Sequence, residues 1–160
     1  MDPTRAEFER RVLPLERDLY FGARALTGRE AEALDLTQDT LLRAWRGFAT
    51  YARDENLKAW LFTILRHAWT DRCRRQKIEP AALDPEIEVP SPPATDDSLP
   101  DELLRALRSL SPAHQMLVLL RDIEGLSYKE VAAAMDIPMG SVMSGLHNAR
   151  KKLREALEAQ

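Results

Sequence analysis

Ser127-Tyr128-Lys129-Glu130-Val131-Ala132-Ala133-Ala134-Met135-Asp136-Ile137-Pro138-Met139-Gly140-Ser141-Val142 is the stretch on which the reading of the fold turns. Ser127 and Glu130 stand three apart ahead of apolar Val131 and Ala132. That spacing is a capping box, in which a hydroxyl and a carboxylate each satisfy an open amide at a helix start. The helix is expected to end near Met135, and Asp136 to Gly140 predicts a tight turn. Ser141 is expected to cap a second helix with the core stripe Val142, Leu146, Ala149, Leu153 and Leu157. Two short helices around such a turn make a helix-turn-helix pattern, whose second helix enters the major groove of DNA. Met143, Ser144, His147, Asn148, Arg150, Lys151 and Arg154 lie off the core stripe. Those near the helix start are placed for base edges, the later cations for phosphate.

Upstream of this pair, Leu103, Leu104, Leu107 and Leu110 recur at helical spacing, and Ser111-Pro112 predicts a helix start with a serine cap and proline in the first turn. That helix is expected to run to Gly125. The N-terminal part of the chain also reads as helices throughout. Phe8, Val12, Leu15 and Leu19 make one stripe, broken at Pro14, and Thr27-Gly28 closes the segment. A helix over 31–48 is expected to bury Leu34, Leu41, Trp45 and Phe48 and to expose Asp35, Gln38, Asp39, Arg43 and Arg46. After a polar loop over 49–56, a helix over 57–77 buries Leu61, Ile64, Leu65 and Ala68 and carries Arg66, Arg72, Arg74, Arg75 and Lys77 toward its end. Cations beside aromatic rings suit single-stranded nucleic acid. Trp60 and Trp69 are assigned to the core, which leaves Tyr51, in the loop, as the stacking candidate.

Charge divides the 160 residues further. Residues 1–77 carry 15 basic and 12 acidic groups, 78–104 no basic and eight acidic, and 105–160 eight basic and six acidic. The middle block also holds Pro80, Pro85, Pro90, Pro92, Pro93 and Pro100. Acidic, proline-rich sequence cannot bury enough surface to fold alone and reads as an extended linker, reaching on the order of 70 Å. The expected architecture is therefore all-α: two small helical modules, 1–77 and 102–160, joined by an acidic proline-rich linker over 78–101 and able to grip two distant sites on one large partner. No apolar run is long enough to cross a membrane, and no signal-peptide segment opens the chain. The single cysteine, Cys73, excludes an internal disulfide, and no metal, P-loop or nucleophile motif is present. Expected, then, are a cytoplasmic protein that is not an enzyme, no catalytic residue, no cofactor and no metal.

Four stretches resemble a known family. Asp35-Leu36-Thr37-Gln38-Asp39-Thr40-Leu41-Leu42-Arg43-Ala44-Trp45-Arg46 resembles the "DLvQETFLRAWR" signature of the extracytoplasmic function sigma factors, the small group of the sigma-70 family. Ala59 to Arg66 with Asp71-Arg72-Cys73-Arg74-Arg75, then Gly125 to Ala132, then Ile137 to Val142 look like its later motifs, in order. The resemblance implies an alternative sigma factor that binds core RNA polymerase and directs promoter-specific initiation. It implies that Asp35, Gln38, Asp39, Leu42 and Arg43 dock on the clamp helices of the polymerase's largest subunit, with the flap of the second-largest as a further contact. Tyr51 and His67 match the pocket for a flipped minus-ten base, with Arg66, Arg72, Arg74 and Arg75 on phosphates. Ser141, Met143, Ser144, His147, Arg150 and Lys151 would meet minus-thirty-five DNA.

Four positions depart from the family pattern. His67 replaces a usual asparagine, Gly145 and Asn148 stand where cations are common, and Met143 stands where one is often found. The family further implies an anti-sigma partner, able to hold the protein at a membrane without inserting it, and a linker threaded through the polymerase cleft toward the RNA exit channel. The alternative is a sigma-like mimic that titrates an anti-sigma factor without reading promoters, supported by the absent cations at Gly145 and Asn148. A stand-alone helix-turn-helix repressor leaves the 35–46 match and the linker unexplained.

Overall fold

A computed structural model of the chain describes residues 3–51, 55–76 and 100–159. The linker expected over 78–101 lies outside them except for its last two residues, as does Lys77. Among the described residues there are eight α-helices and no strand: α1 Pro3–Val12, α2 Glu16–Thr27, α3 Glu30–Gly47, α4 Leu57–Gln76, α5 Asp101–Arg108, α6 Pro112–Val118, α7 Tyr128–Met135 and α8 Met139–Glu158. The all-α expectation holds.

Local chemistry sets the boundaries. Pro14 sits in a single 3-10 turn, Leu13–Leu15, between α1 and α2. Gly28 takes a left-handed conformation (φ 73°) and closes α2, its N–H donating to Arg24 O at 2.9 Å. Helix α3 buries Ala33, Leu36, Thr37, Thr40, Leu41 and Ala44. The two threonines enter the core because their hydroxyls donate to Ala33 O and Leu36 O, at 2.7 and 2.8 Å. This rotates the helix from the expected stripe: Leu34 and Trp45 are exposed, at 49% and 38%. Trp45 still sets one edge against Phe8, whose ring is 5.2 Å away and in turn meets Phe48.

In the second half, Ser111 accepts the His114 N–H at 3.3 Å and starts α6. The helix does not continue straight to Gly125. It widens at Leu119–Ile123 into a π-helical turn, which buries both Leu119 and Leu120. The capping box forms as expected, with Glu130 N to Ser127 Oγ at 3.1 Å and Ser127 N to Glu130 Oε1 at 2.9 Å. Asp136 makes the turn in the left-handed region (φ 56°). The cap of α8 is Pro138, not Ser141: the Pro138 carbonyl receives the amides of Ser141 and Val142 at 3.0 and 3.2 Å. Ser141 is therefore inside the first turn.

The arrangement of the halves also departs from two modules held apart. Their apolar faces join in one core that runs from Phe8, Leu19 and Leu65 through Leu119 and Leu120 to Val131 and Leu146. Helix α2 packs on α5 and α6, and α4 on α7. Gly22 permits a close approach at the seam. A Cβ there would stand 2.9 Å from Phe62 Cε1 and 3.0 Å from Leu119 Cδ2, one atom from each half. A helical module of roughly 75 residues has a marginal core. Leucines shared across the seam stabilise the joined core in proportion to the apolar area that the contact between the halves removes from water.

Candidate nucleic-acid interface

Helix α3 presents Asp35, Gln38 and Leu42 to solvent on one side, with Asp39 and Arg43 half-buried at its margin. Arg43 is held from two directions: Nε donates to Asp39 Oδ1 at 3.1 Å and Nη1 to Asp71 Oδ2 at 2.9 Å. The second bond ties α3 to α4. It holds the Asp71 carboxyl below its usual range and raises Arg43 further. No spacing rule in the sequence reaches across the 28 positions that separate Arg43 from Asp71. The exposed rotation of α3 adds Leu34 and Trp45 to Leu42, so the polar face of the helix is bordered by three large apolar side chains.

The residues matched to the minus-ten pocket are only partly together. Tyr51 is not an exposed loop ring. It is 3% exposed, stacked on Phe48, with Arg11 5.4 Å from its centroid and its hydroxyl donating to Glu55 O. The reason is aromatic packing: Phe8, Phe48, Tyr51 and Trp60 form one cluster. Trp60, assigned to the core, is half-buried there and is the more open ring.

Arg66 and His67 adjoin. Arg66 Nη2 lies 3.0 Å from His67 Nε2, while Arg66 Nε donates to Ala134 O at 2.6 Å. Burial first, then the Arg66 charge, lowers the His67 pKa below 6.5. Arg72 donates to Glu32 O at 3.2 Å and braces α3 on α4, while Arg74 and Arg75 are exposed. Cys73 is buried, and burial pushes its thiol up.

On α8, Ser141, Met143, Ser144, His147 and Lys151 are exposed, and Val142, Leu146 and Ala149 face inward. Arg150 is engaged. Nε and Nη2 donate to both Asp122 oxygens at 2.9 and 2.6 Å, which raises the guanidinium pKa further. Gly145 has a packing reason. A Cβ there would lie 2.6 Å from Leu117 Cδ1, where α8 crosses α6. Arg121 sits 4.6 Å over the Tyr128 ring and donates to Leu126 O at 2.8 Å, fixing the entry to α7. Among the described residues no group of three or more His, Cys, Asp or Glu could hold a metal, and no helix is long and apolar enough to cross a membrane.

Comparison with known proteins follows the same division. The Sigma-70 region 2 family model matches residues 12–78, and the Sigma-70, region 4 model matches 101–153. The chain is 35% identical over 147 residues to the ECF RNA polymerase sigma factor SigE of Mycolicibacterium smegmatis, covering 87% of this chain and 57% of that protein. It is 32% identical over 155 residues to the RNA polymerase sigma-E factor of Streptomyces coelicolor, covering 96% and 88%. Against the ECF RNA polymerase sigma factor SigG of Mycobacterium tuberculosis it spans 49% of the relative's length. Among solved structures, the complex of the sigma factor RpoE with the anti-sigma factor NepR from Bartonella quintana superposes with a TM-score of 0.79 at 31% identity, covering 95% of this chain and 97% of that one. With both regions matched in order, and the fold shared across nearly its whole length, the chain belongs to the extracytoplasmic function group of the sigma-70 family.

Proposed function

We propose that the chain is an alternative sigma factor, a promoter-specificity subunit with no chemistry of its own. It acts in the cytoplasm, where it binds core RNA polymerase and directs initiation at a two-part promoter. Residues 1–77 dock on the clamp helices of the largest subunit through Asp35, Gln38, Asp39, Leu42 and Arg43, bordered by Leu34 and Trp45, and open the minus-ten element. There His67, Arg66, Arg74 and Arg75 meet the strand, with Trp60 beside the buried Tyr51 as the available ring. Residues 102–160 read the minus-thirty-five element through α8 and touch the flap of the second-largest subunit; 78–101 link the two. The observation that carries this reading is the pair of family regions in order on one chain, with the polar face of α3 and the start of α8 both open to solvent.

An anti-sigma factor is the natural inhibitor, since a relative of this fold is captured with one. A membrane-held inhibitor would keep the chain at the membrane without insertion. The mimic reading rests on Gly145 and Asn148; at Gly145 a Cβ would also press on the Leu117 side chain, which gives glycine a packing role there besides any missing DNA contact. Transcription in a purified system, with this chain, core polymerase and sheared genomic DNA, tests the proposal. New RNA starts sharing two spaced motifs are expected. Binding to core polymerase without any promoter-dependent start would assign the chain to the mimics.

A further inference from the structure

From Ile137 to Asn148 there is not one Lys, Arg, Asp or Glu. This uncharged segment is the turn and first half of α8, the part that a helix-turn-helix inserts deepest into the groove. Its outward side chains are mixed in kind. Met139 and Met143 are 45% and 52% exposed, one helical turn apart. Beside them Ser144, His147 and Asn148 are exposed too. A Cβ at Gly140 would meet nothing within 4 Å, so the backbone between the methionines is open to close approach. The cations begin only afterwards, at Arg150, Lys151, Lys152 and Arg154.

Serine, asparagine and backbone amides at this tip can bond phosphate, but the two methionine side chains cannot, so what the methionines contribute comes from apolar contact with base edges. In the major groove the one large apolar group is the thymine 5-methyl. We propose that Met139 and Met143 are specificity residues that pack on thymine methyl groups, so that this chain selects A·T pairs in the upstream element by apolar contact. This rests on the reading of α8 as the minus-thirty-five helix. Two residues four apart are separated by about 6 Å along a helix axis, near two base-pair steps. The two methyls are therefore expected one to three base pairs apart. Two further features favour DNA over a protein as the occupant. The cations that follow on the same helix match a polyanion, and Asn148 is of the type that reads adenine in the pairs the methionines would select.

The test is selection of the full chain, alone and with bacterial core polymerase, on a randomised duplex pool. The enriched site is then resynthesised with deoxyuridine replacing thymidine one position at a time, which removes only the methyl. Wild type is expected to lose about fourfold in affinity at one or two upstream positions, the worth of one buried methyl-sized group. Met143→Ala and Met139→Ala should each abolish the deoxyuridine effect at one position while leaving the rest of the site and the melting temperature unchanged. An enriched upstream site indifferent to deoxyuridine would overturn the inference, leave the minus-thirty-five reading standing and assign the methionines to a protein partner. No enriched upstream element under either condition would overturn both.

Discussion

Arg66 Nε donates to the carbonyl of Ala134 across 2.6 Å and 68 positions of chain. The donor belongs to α4, whose cations are proposed for promoter phosphates. The acceptor is the penultimate residue of α7, the first helix of the helix-turn-helix. In this arrangement Nε and Nη2 of Arg66 are engaged with protein, so the packing of the halves and the proposed promoter contact draw on one guanidinium. A hydrogen bond from a charged donor contributes about 1.5 kcal/mol at the low end, about tenfold in a local opening equilibrium. Arg66→Ala is expected to speed amide hydrogen exchange in α7 about tenfold, while Arg75→Ala, at an exposed position, leaves it unchanged. Equal protection in both variants would show that the bond does not hold the seam.

Lys58 and Glu124 form a second polar bond across the seam, at 3.1 Å, with the Glu124 side chain only 2% exposed. Burial raises the Glu124 pKa above 4.5, and the Lys58 bond only partly opposes it. The folded carboxyl thus holds its proton more tightly than the unfolded one. Its contribution is fully present below the unfolded value and is lost as pH rises through the raised folded value. Glu124→Gln is therefore expected to raise the melting temperature at pH 8 relative to wild type and to do nothing at pH 4. Lys58→Ala, which strands the buried carboxylate, should cost about 2 kcal/mol at pH 8, below the range for a fully buried pair because Lys58 is partly exposed. A Glu124→Gln effect that grows toward acid pH would reverse the assignment.

Asp122 grips Arg150 through both oxygens, 28 positions apart. A half-exposed pair contributes at most about 1 kcal/mol, so the fold survives its loss. Asp122→Ala is expected to release Arg150 to phosphate. The plot of log affinity against log salt for duplex DNA should steepen by about 0.9, one additional counterion released. An unchanged slope would mean that Arg150 has no phosphate within reach and that Lys151 and Arg154 carry the backbone contacts alone.

How far the sequence could be read follows the range of each interaction. The cap at Ser111, the box Ser127–Glu130 and the glycine end at Gly28 span at most four residues and are legible by spacing. The face of α3 departs from its apolar periodicity at Leu34 and Trp45 because Thr37 and Thr40, polar by type, enter the core by bonding to their own helix. Composition cannot reveal that. The π-helical turn after Val118 and the cap at Pro138 were likewise lost to helix-end detail. Tyr51 looked exposed since its loop is polar, yet its ring partners lie on three other segments. Nothing periodic marks the seam itself. Gly22, Lys58, Arg66 and Glu124 find partners in the other half of the chain, and only the three-dimensional packing pairs them.

His67 carries the sharpest prediction about readout. A guanidinium only donates, so Arg66 Nη2 at 3.0 Å makes His67 Nε2 the acceptor and leaves the ring proton on Nδ1. Burial and the Arg66 charge lower its pKa, so the folded ring takes up a proton less readily than the unfolded one. What this adds to stability is present above about 6.5 and is lost as pH falls through that value toward the lowered one. Nitrogen-resolved NMR of the full chain is expected to find a neutral Nδ1–H imidazole at pH 7 with its titration midpoint below 6.5. Arg66→Ala should raise the midpoint and release the tautomer. For DNA, a neutral ring offers the pocket one donor, where an asparagine amide offers a donor and an acceptor together. His67→Asn is expected to change which base is preferred at one minus-ten position in mapped transcripts while leaving core-polymerase affinity as it was. A wild-type midpoint at or above 6.5 would mean that the ring is protonated near neutrality, and base preference should then follow pH between 6 and 8 instead of staying constant.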